Sequence, residues 1–417
     1  MNLIVVDKCT NYCKYCFASN EMAKSNAKAA LKDENIPFIL DFIHNSGPNF
    51  ELNIIGGEPF LYRRLPYLLE KVLELPNVSN ICIFTGGIIA SKVIELVTHL
   101  DSTRISYLFN VNEKKDYNTE KEYDLVLENF DLVLSHGFKA SFGYNIYESN
   151  FDYREILNLC TQYGTPYLRW TIAFPELVKN PFTITLSPDQ YKLMAGRVAD
   201  FLEDAYQRKI AAGLDCPIPK CFFSNEQMGR IALTQPFTNN SIKSCGPVID
   251  VTPDLDVFRC YALSNLARTK LTDFKNFKEA ISYFEKNIDD LYSTPQTFDY
   301  CKSCEFALNR TCYGGCIAHS PKAIGTRVLT EDLLKEMFVL VNGGDFEKVE
   351  DFFSLHTHTL AVNPVANYLM SFVAESKGDI EAAKTFTRKS ILNSNSFDNI
   401  EKYKCRLSAL NKFLVFA

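Results

Sequence analysis

The sequence predicts an α/β protein: a partial (β/α)6 barrel, followed by a cysteine-rich domain and an all-helical C-terminal region. Three observations predict this arrangement. Apolar runs alternate with amphipathic stretches over the first 185 residues, cysteines then become frequent, and a nine-residue pattern recurs near the C-terminus. Strands that alternate with helices form a parallel sheet with helical crossovers, and six such units suggest a partial barrel like that of a TIM barrel.

We expect three domains, because 417 residues are too many for one ordinary domain. The barrel is predicted over residues 1–185. A linker helix and the cysteine-rich domain are predicted over 186–325, and the helical region over 326–417. A hydrophobic content of 47% fits a globular chain that buries a large core.

The overall composition argues against several classes of protein. The net charge of −6 argues against a nucleic-acid binder, because phosphate neutralisation needs a basic face. No run of about 18 apolar residues predicts a membrane span, and the N-terminus lacks the features of a secretory signal. We therefore expect a cytoplasmic protein, in which clustered members of the 14 cysteines are metal ligands rather than disulfides.

Six apolar runs are predicted strands, and amphipathic stretches between them are predicted helices. The strands are LIVV (3–6), LNII (52–55), ICIF (81–84), ISYLF (105–109), ASFGYNIY (140–147) and YLRWTIAF (167–174). The helices are 65–75, 91–100, 125–137, 153–164 and a longer one that begins near LSPDQYKLM (186–194) and ends near Gly213. In such a barrel the active site lies at the C-terminal ends of the strands.

Three cysteines follow the first predicted strand directly. The stretch CTNYCKYCF contains Cys9, Cys13 and Cys16, on a loop at the catalytic end of the barrel. Thiolates are the preferred ligands of iron–sulfur clusters and of zinc, but a structural zinc site takes four protein ligands. Three cysteines that hold a four-iron cluster leave one iron open to a small molecule.

The spacing C-x3-C-x2-C, with Tyr15 before the third cysteine, resembles the defining motif of the radical S-adenosylmethionine (SAM) superfamily. The resemblance implies a [4Fe–4S] cluster on Cys9, Cys13 and Cys16, whose open iron binds the amino and carboxylate groups of SAM. It implies reductive cleavage of SAM to a 5′-deoxyadenosyl radical, with electrons from a donor such as flavodoxin or ferredoxin. Tyr15 is expected near the adenine.

A second motif supports the resemblance at the end of the second predicted strand. IIGGEPF contains Gly56, Gly57, Glu58 and Pro59, which resemble the GGEP motif that binds the SAM amino group in this superfamily. A glycine turn lets backbone carbonyls approach a ligand closely. Less specific SAM contacts, for which an ordinary loop is the alternative, are Thr85 with Gly86 and Gly87 after the third strand, and Asn110 with Asn112 after the fourth.

The cysteines of the middle region resemble the SPASM extension of radical SAM enzymes, which carries one or two auxiliary [4Fe–4S] clusters. The match runs from Cys245 through Cys260 to the pairs CKSC and CYGGC. Two features depart from the family pattern. Leu255 stands where a hairpin glycine is usual, and seven residues rather than five separate Cys304 from Cys312.

The resemblance implies two sets of auxiliary ligands. Cys245, Cys260 and Cys316 would hold the first cluster, with Cys221 as the preferred fourth ligand and Cys216 as the alternative. The second would be held by Cys301, Cys304 and Cys312.

The last ligand expected for the second cluster is missing. Either Cys405 folds back, a non-cysteine group fills in, one iron stays open, or the cluster is absent. Zinc at the C-x2-C pair is the alternative for this region. Cys82, in a predicted strand, and Cys160, in a predicted helix, are expected to be buried apolar residues instead.

The C-terminal region contains a short repeat. GDFEKVEDF begins at Gly344 and GDIEAAKTF begins at Gly378, an offset of 34 residues that is the period of a tetratricopeptide helix pair. A tetratricopeptide-like tail would offer a concave groove for a peptide, and an ordinary helical bundle is the alternative.

Radical SAM enzymes with this extension commonly act on peptides or proteins, so the resemblance implies a maturase of a ribosomally made precursor peptide. A radical SAM enzyme for a small molecule and a non-catalytic iron–sulfur or helical-repeat interaction protein are the alternatives. Tyr261 stands where the sulfatase-maturing branch places an acidic base, which counts against that branch. The sequence assigns no catalytic residue.

Overall fold

The computed structural model describes most of the chain, with gaps. The described residues are 1–11, 13, 15–16, 18, 29–173, 188–241, 245–264, 267–289, 301, 303–309, 311–312, 314–316, 333–355, 360, 363–393 and 397–412. The last residue of the sixth predicted strand and the predicted start of the long helix lie outside this set. The chain divides into two compact units, Met1–Ser320 and Pro321–Ala417.

A ten-stranded sheet organises the first unit, in the order β10-β9-β8-β1-β2-β3-β4-β5-β6-β7. The strands are β1 Asn2–Ile4, β2 Phe50–Ile55, β3 Val78–Thr85, β4 Ile105–Asn110, β5 Lys139–Ile146, β6 Tyr167–Ile172, β7 Ala211–Leu214, β8 Asp250–Val251, β9 Asp256–Phe258 and β10 Thr269–Lys270. Strands β1 to β7 pair in parallel, as does β8 with β1, whereas β9 is antiparallel to both neighbours. The predicted α/β fold with a partial barrel is confirmed.

Helices connect the parallel strands and build the second unit. In the first unit they are α1 Ile36–His44, α2 Leu65–Leu73, α3 Ser91–Ile94, α4 Glu120–Ser135, α5 Arg154–Gln162, α6 Pro188–Gln207, α7 Asn225–Thr234, α8 Pro236–Ser241, α9 Phe277–Phe284 and α10 Glu305–Leu308. In the second unit they are α11 (333–342), α12 Phe346–Leu355, α13 Pro364–Ser376, α14 Ile380–Asn393 and α15 Phe397–Lys412. None of the helices in the described parts of the chain is long and apolar enough to cross a membrane.

The long helix ends earlier than the sequence predicts, and a seventh parallel strand follows it. Helix α6 stops at Gln207, because Lys209 takes a left-handed φ of 61° and the Ile210 N–H closes back on the Ala205 carbonyl at 2.8 Å. Strand β7 then pairs with β6. A Cβ atom at Gly213 would overlap the Tyr167 hydroxyl, so glycine makes room for that ring.

The turn of the β8–β9 hairpin has the left-handed backbone conformation that favours glycine, although a leucine occupies the position. Leu255 has a φ of 62°, a conformation that L residues rarely adopt. The Leu255 N–H donates to the Thr252 carbonyl at 3.0 Å, and the Thr252 N–H donates to the Asp256 carbonyl at 2.9 Å. The Leu255 side chain is only 6% exposed, so its burial offsets the backbone strain.

The repeat glycines occupy equivalent turns in the second unit. Gly344 and Gly378 have φ values of 71° and 78°, typical of the residue that ends a helix. Gly344 lies between α11 and α12, and Gly378 lies between α13 and α14. The 34-residue offset therefore corresponds to two successive helix–turn–helix pairs. These pairs bury an apolar core that includes Met337, Val349 and Val373.

Candidate active site

The loop after β1 carries the three N-terminal cysteines at the carboxyl end of the sheet. Cys9, Cys13 and Cys16 are all half-buried. The Cys16 N–H donates to the Cys13 carbonyl at 3.1 Å, and the Asn11 N–H donates to Cys9 Sγ at 3.5 Å. The pKa of the Cys13 thiol is raised to about 12, mainly by burial and in smaller part by the neighbouring Cys16 and Cys9 thiols. The three sulfurs are therefore close enough to interact electrostatically, and a bound cation would reverse that repulsion.

The GGEP segment lies directly against this cysteine loop. The Gly57 N–H donates to the Val6 carbonyl and the Glu58 N–H to the Lys8 carbonyl, both at 2.8 Å. A Cβ atom at Gly57 would overlap the Lys8 carbonyl oxygen, and one at Gly56 would lie 2.5 Å from that of Val6. Both positions therefore require glycine, because the two backbone segments approach so closely. This close packing holds the GGEP motif beside the cysteines.

Glu58 is the best-connected buried acid at this end of the sheet. Its side chain is 1% exposed. The Thr85 hydroxyl lies 2.8 and 2.9 Å from the two carboxylate oxygens, the Gly86 N–H donates at 2.9 Å, and the Phe60 N–H donates at 3.3 Å. Burial raises the pKa of Glu58 to about 7, although these donors act in the opposite direction. The structure thus joins Glu58 and Thr85 directly. Pro59 begins the short helical turn Pro59–Leu61 that Glu58 caps.

The two predicted asparagines lie at the ends of neighbouring strands. Asn110 ends β4, and a Cβ atom at Gly143 would lie 2.7 Å from its Oδ1, so that glycine leaves room for the amide. Asn112 is buried, and its Nδ2 donates to the Asn145 carbonyl at 2.9 Å. Asn112 therefore bridges the ends of β4 and β5, while Asn110 stays half-buried near them.

Tyr15, which was expected near the adenine, completes this end of the sheet together with Tyr147 and the half-buried Asp116, two residues that the sequence did not single out. Tyr15 stacks on Tyr147 with ring centroids 5.3 Å apart and an interplanar angle of 29°. The Tyr147 hydroxyl donates to Asp116 Oδ1, and Asp116 Oδ2 is buried with no hydrogen-bond partner in the described part of the chain. Tyr147 and Asp116 both follow the carboxyl ends of strands, and this position in the sequence could have identified them as candidate site residues.

These groups match the chemistry of a four-iron cluster and of SAM. Three interacting thiols provide soft ligands, and the Glu58 carboxylate provides an acceptor for an ammonium group. Asp116 Oδ2 is a buried acceptor to which none of the described residues donates a hydrogen bond. Among the described residues, no group of three or more His, Cys, Asp or Glu side chains has the geometry of a single-ion site. A four-iron cluster instead takes at most one thiolate on each iron.

A second group of thiols comes together from four separate parts of the chain. Cys316 is in hydrogen-bond contact with Cys216 and with Cys245. Cys260 is close enough for both Cys245 and Cys216 to raise the pKa of its thiol, in addition to the larger effect of burial. The contacts therefore join Cys216, the alternative that the sequence left open, to the three expected members of this set.

Cys221 lies in the short turn Lys220–Phe222, which packs against the segment that carries Cys301, Cys304 and Cys312. Lys220 Nζ is 5.3 Å from the centroid of the Phe306 ring, and the Phe306 carbonyl accepts from the Cys312 N–H at 3.1 Å. A Cβ atom at Gly315 would lie 2.5 Å from Pro219 Cδ. The turn with Cys221 is therefore close-packed on the segment that carries the later cysteines.

The remaining cysteines differ in burial. Cys301 and Cys312 are each 7% exposed, Cys304 is half-buried, and the Cys304 N–H donates to the Cys301 carbonyl at 3.2 Å. Cys405 is exposed on α15, in the second unit. Cys160 is fully buried in α5, whereas Cys82 is half-buried in β3.

Comparison with curated proteins gives several GTP 3′,8-cyclases as relatives. The GTP 3′,8-cyclase of Syntrophomonas wolfei is 23% identical over 123 residues, 29% of this chain and 37% of the relative. The GTP 3′,8-cyclase of Psychromonas ingrahamii is 20% identical over 252 residues, 59% of this chain and 72% of the relative. The match thus spans well under two thirds of the first enzyme.

Comparison with solved structures extends beyond the barrel. Native anSMEcpe with bound AdoMet superposes with a TM-score of 0.55 at 17% identity, over 76% of this chain and 88% of that chain. Its complex with AdoMet and the Cp18Cys peptide gives a TM-score of 0.54. At such low identity this likeness establishes the fold alone.

The family comparison covers the part of the chain that carries the triad, the GGEP segment and strands β1 to β5. Residues 3–160 match the radical SAM superfamily. Together with the parallel barrel and the geometry at its carboxyl end, this match shows that the chain carries a radical SAM domain.

Proposed function

We propose that this radical SAM enzyme cleaves SAM reductively and uses the product to modify a peptide or protein. The observation that carries the proposal is the juxtaposition of the cysteine loop with the buried Glu58–Thr85 network. The Glu58 N–H and the Lys8 carbonyl, one residue before Cys9, are joined by a hydrogen bond of 2.8 Å. A backbone hydrogen bond therefore joins the loop that carries the metal ligands to the segment that carries the ammonium acceptor.

The chain's residues divide the cofactor work among them. Cys9, Cys13 and Cys16 would each hold one iron of a [4Fe–4S] cluster, which would leave the fourth iron for SAM. Once bound, the cluster and SAM together supply a hydrogen-abstracting radical. Glu58 accepts a hydrogen bond from the SAM ammonium group, and Thr85 and Gly86 hold its carboxylate in place. Tyr15 and Tyr147 provide an aromatic surface for the adenine.

The cysteine contacts support a proposal of two auxiliary clusters. The first takes Cys216, Cys245, Cys260 and Cys316, because the first, second and fourth of these are in direct contact and the third is beside them. The second takes Cys301, Cys304 and Cys312. We assign Cys221 as its fourth ligand, because the turn that carries Cys221 packs on Phe306 and Gly315.

The shared fold with anSMEcpe, whose structure with a bound peptide also superposes on this chain, supports a peptide substrate. The sequence relatives favour a second candidate, because their substrate is a nucleotide according to their name, GTP 3′,8-cyclase. The two substrate classes differ in size, and only an extended peptide would use the helix pairs of the second unit as a recognition surface.

The substrate class is tested with anaerobically reconstituted enzyme, SAM and a strong reductant. Short peptides encoded beside the gene are supplied in one assay and GTP in a matched assay. We expect a mass change in one peptide, with 5′-deoxyadenosine formed in proportion, and no loss of GTP. Turnover of GTP with every peptide unchanged would overturn the peptide assignment and support the nucleotide.

A further inference from the structure

Arg259 is a fully buried cation next to the second group of thiols. Its side chain is 1% exposed, and it directly precedes Cys260. Nε donates to Asp289 Oδ2 at 2.8 Å, and Nη2 donates to Asp289 Oδ1. Nη1 points elsewhere and donates to Cys245 Sγ at 3.3 Å, while Nη2 also lies 3.4 Å from the Cys245 carbonyl oxygen. The guanidinium therefore bridges a carboxylate and a sulfur.

Arginine is rarely buried this completely, because removal of its charge from water is costly. Asp289 compensates the charge through two hydrogen bonds and also fixes the plane of the guanidinium. Nη1 donates its hydrogen bond to a thiol, a poorer acceptor than the oxygen atoms that usually satisfy arginine. A thiolate bound to iron is a far better acceptor, so this arrangement suits a ligated Cys245.

We propose that Arg259 is a positioning residue that donates a hydrogen bond to the Cys245 sulfur and raises the reduction potential of the first auxiliary cluster. This inference rests on the proposed function, in which Cys245 ligates that cluster. Hydrogen bonds to cluster sulfurs and nearby positive charge stabilise the added electron of the reduced state. Asp289 acts in the opposite direction, because its negative charge partly cancels that of Arg259.

A cavity of about 410 Å³, which Cys245 also lines, supplies a matched control. Cys245, Asp289 and Lys286 all line it. Lys286 therefore carries a positive charge on the same cavity but makes no hydrogen bond to Cys245 among the contacts described. If a hydrogen bond to sulfur sets the potential, Lys286 contributes little, because charge across a solvent-filled cavity is screened.

The test is a redox titration followed by electron paramagnetic resonance. The parent protein carries Cys9, Cys13 and Cys16 changed to alanine, so that only auxiliary clusters give signals. Arg259→Met is expected to retain iron and to lower the ratio of reduced to oxidised first cluster about tenfold at a fixed potential. Asp289→Asn is expected to raise that ratio, and Lys286→Met to leave it unchanged.

Several results would overturn the proposal. One is an iron-replete Arg259→Met protein with the parent's potential, and another is an equal shift on Lys286→Met. If Arg259→Met loses iron, Arg259→Gln is titrated in its place. Loss of iron from both variants means that Arg259 is structural, which also overturns the proposal. A parent protein that holds no iron at all contradicts the auxiliary-cluster assignment itself, before any potential is measured.

Discussion

At the scale of single residues, Glu58 links the fold to the ligand. Burial raises its pKa to about 7, so the carboxyl binds a proton more tightly in the folded chain than in the unfolded one. The free energy of unfolding therefore includes a contribution that is fully present below about pH 4.5 and is lost as the pH rises through about 7. A bound ammonium group acts in the opposite direction, because it favours the ionised carboxylate.

We therefore expect the affinity for SAM to rise as the pH increases from about 5 to about 8. At the lower pH, Glu58 must release a proton before it can accept from the ammonium group as a carboxylate. Glu58→Gln should weaken binding about tenfold at the higher pH and remove most of the pH dependence. Calorimetry of the cluster-loaded protein measures both effects, with the exposed Glu74→Gln as control. Parallel pH profiles for the Glu58→Gln and parent proteins would contradict this role.

Gly57 tests the close approach of the GGEP segment to the cysteine loop. A Cβ atom there would overlap the Lys8 carbonyl oxygen, so Gly57→Ala should lower the free energy of unfolding by about 2 kcal/mol or more. Gly229, exposed in α7 with no atom within 4 Å of an added Cβ, is the matched control. Gly229→Ala should raise the free energy of unfolding by about 1 kcal/mol. Denaturant unfolding measures both changes. An unchanged free energy of unfolding for Gly57→Ala would contradict the claim that this close approach requires glycine.

At the scale of secondary structure elements, the sequence predicts the first six strands well because they are short apolar runs. Parallel strands are buried on both faces, so their hydrophobic pattern is nearly continuous, and Leu52, Ile54 and Ile83 are fully buried. Strand β7 was missed because AAGL is short and contains a glycine. That glycine makes room for the ring of Tyr167, which lies 46 residues earlier in the sequence and is adjacent only in the folded chain.

The cysteine ligands likewise depend on contacts between residues that are distant in the sequence. Cys216 and Cys221 are five residues apart, and no pattern decides which one approaches Cys316. The structure relates Cys216 to Cys316 through a tertiary contact, the hydrogen bond from the Cys316 N–H to the Pro217 carbonyl at 2.8 Å. Motifs with local spacing, such as Cys9 to Cys16, can be recognised in a sequence, whereas ligands from distant segments need the fold.

The repeat glycines give a test at this scale. Gly344→Ala and Gly378→Ala should each lower the free energy of unfolding of the second unit by about 1 kcal/mol, because both residues have positive φ. Gly343 directly precedes Gly344 but is not among the residues with positive φ, so Gly343→Ala is the matched control and should have a smaller effect. Hydrogen exchange of helices α11 to α14 measures the change. Equal effects at positions 343 and 344 would contradict the turn assignment.

At the scale of the whole molecule, the two units are expected to divide chemistry from recognition. A chain that ends at residue 320 keeps every proposed iron ligand and should still cleave SAM without coupling to substrate. It should no longer modify its peptide, because the helix pairs that would bind the peptide are absent. Chromatography of 5′-deoxyadenosine and mass spectrometry of the peptide measure the two activities separately.

Cys405→Ala is the companion variant for this truncation. Cys405 is exposed on α15, and we assign Cys221 rather than Cys405 to the second auxiliary cluster. The variant should therefore retain the full iron content. Full peptide modification by the truncated enzyme would defeat the recognition role of the second unit, and iron loss in Cys405→Ala would return that cysteine to the ligand set.

The most direct measurement of the central claim is iron content together with SAM cleavage in the protein that has Cys9, Cys13 and Cys16 changed to alanine. The reconstituted parent should hold more than about four irons per chain and form 5′-deoxyadenosine with a strong reductant. The triple variant should lose about four irons, keep the remainder and form no 5′-deoxyadenosine. Undiminished SAM cleavage by the triple variant, or an unchanged iron content, would contradict the assignment of the radical-generating cluster to these three cysteines.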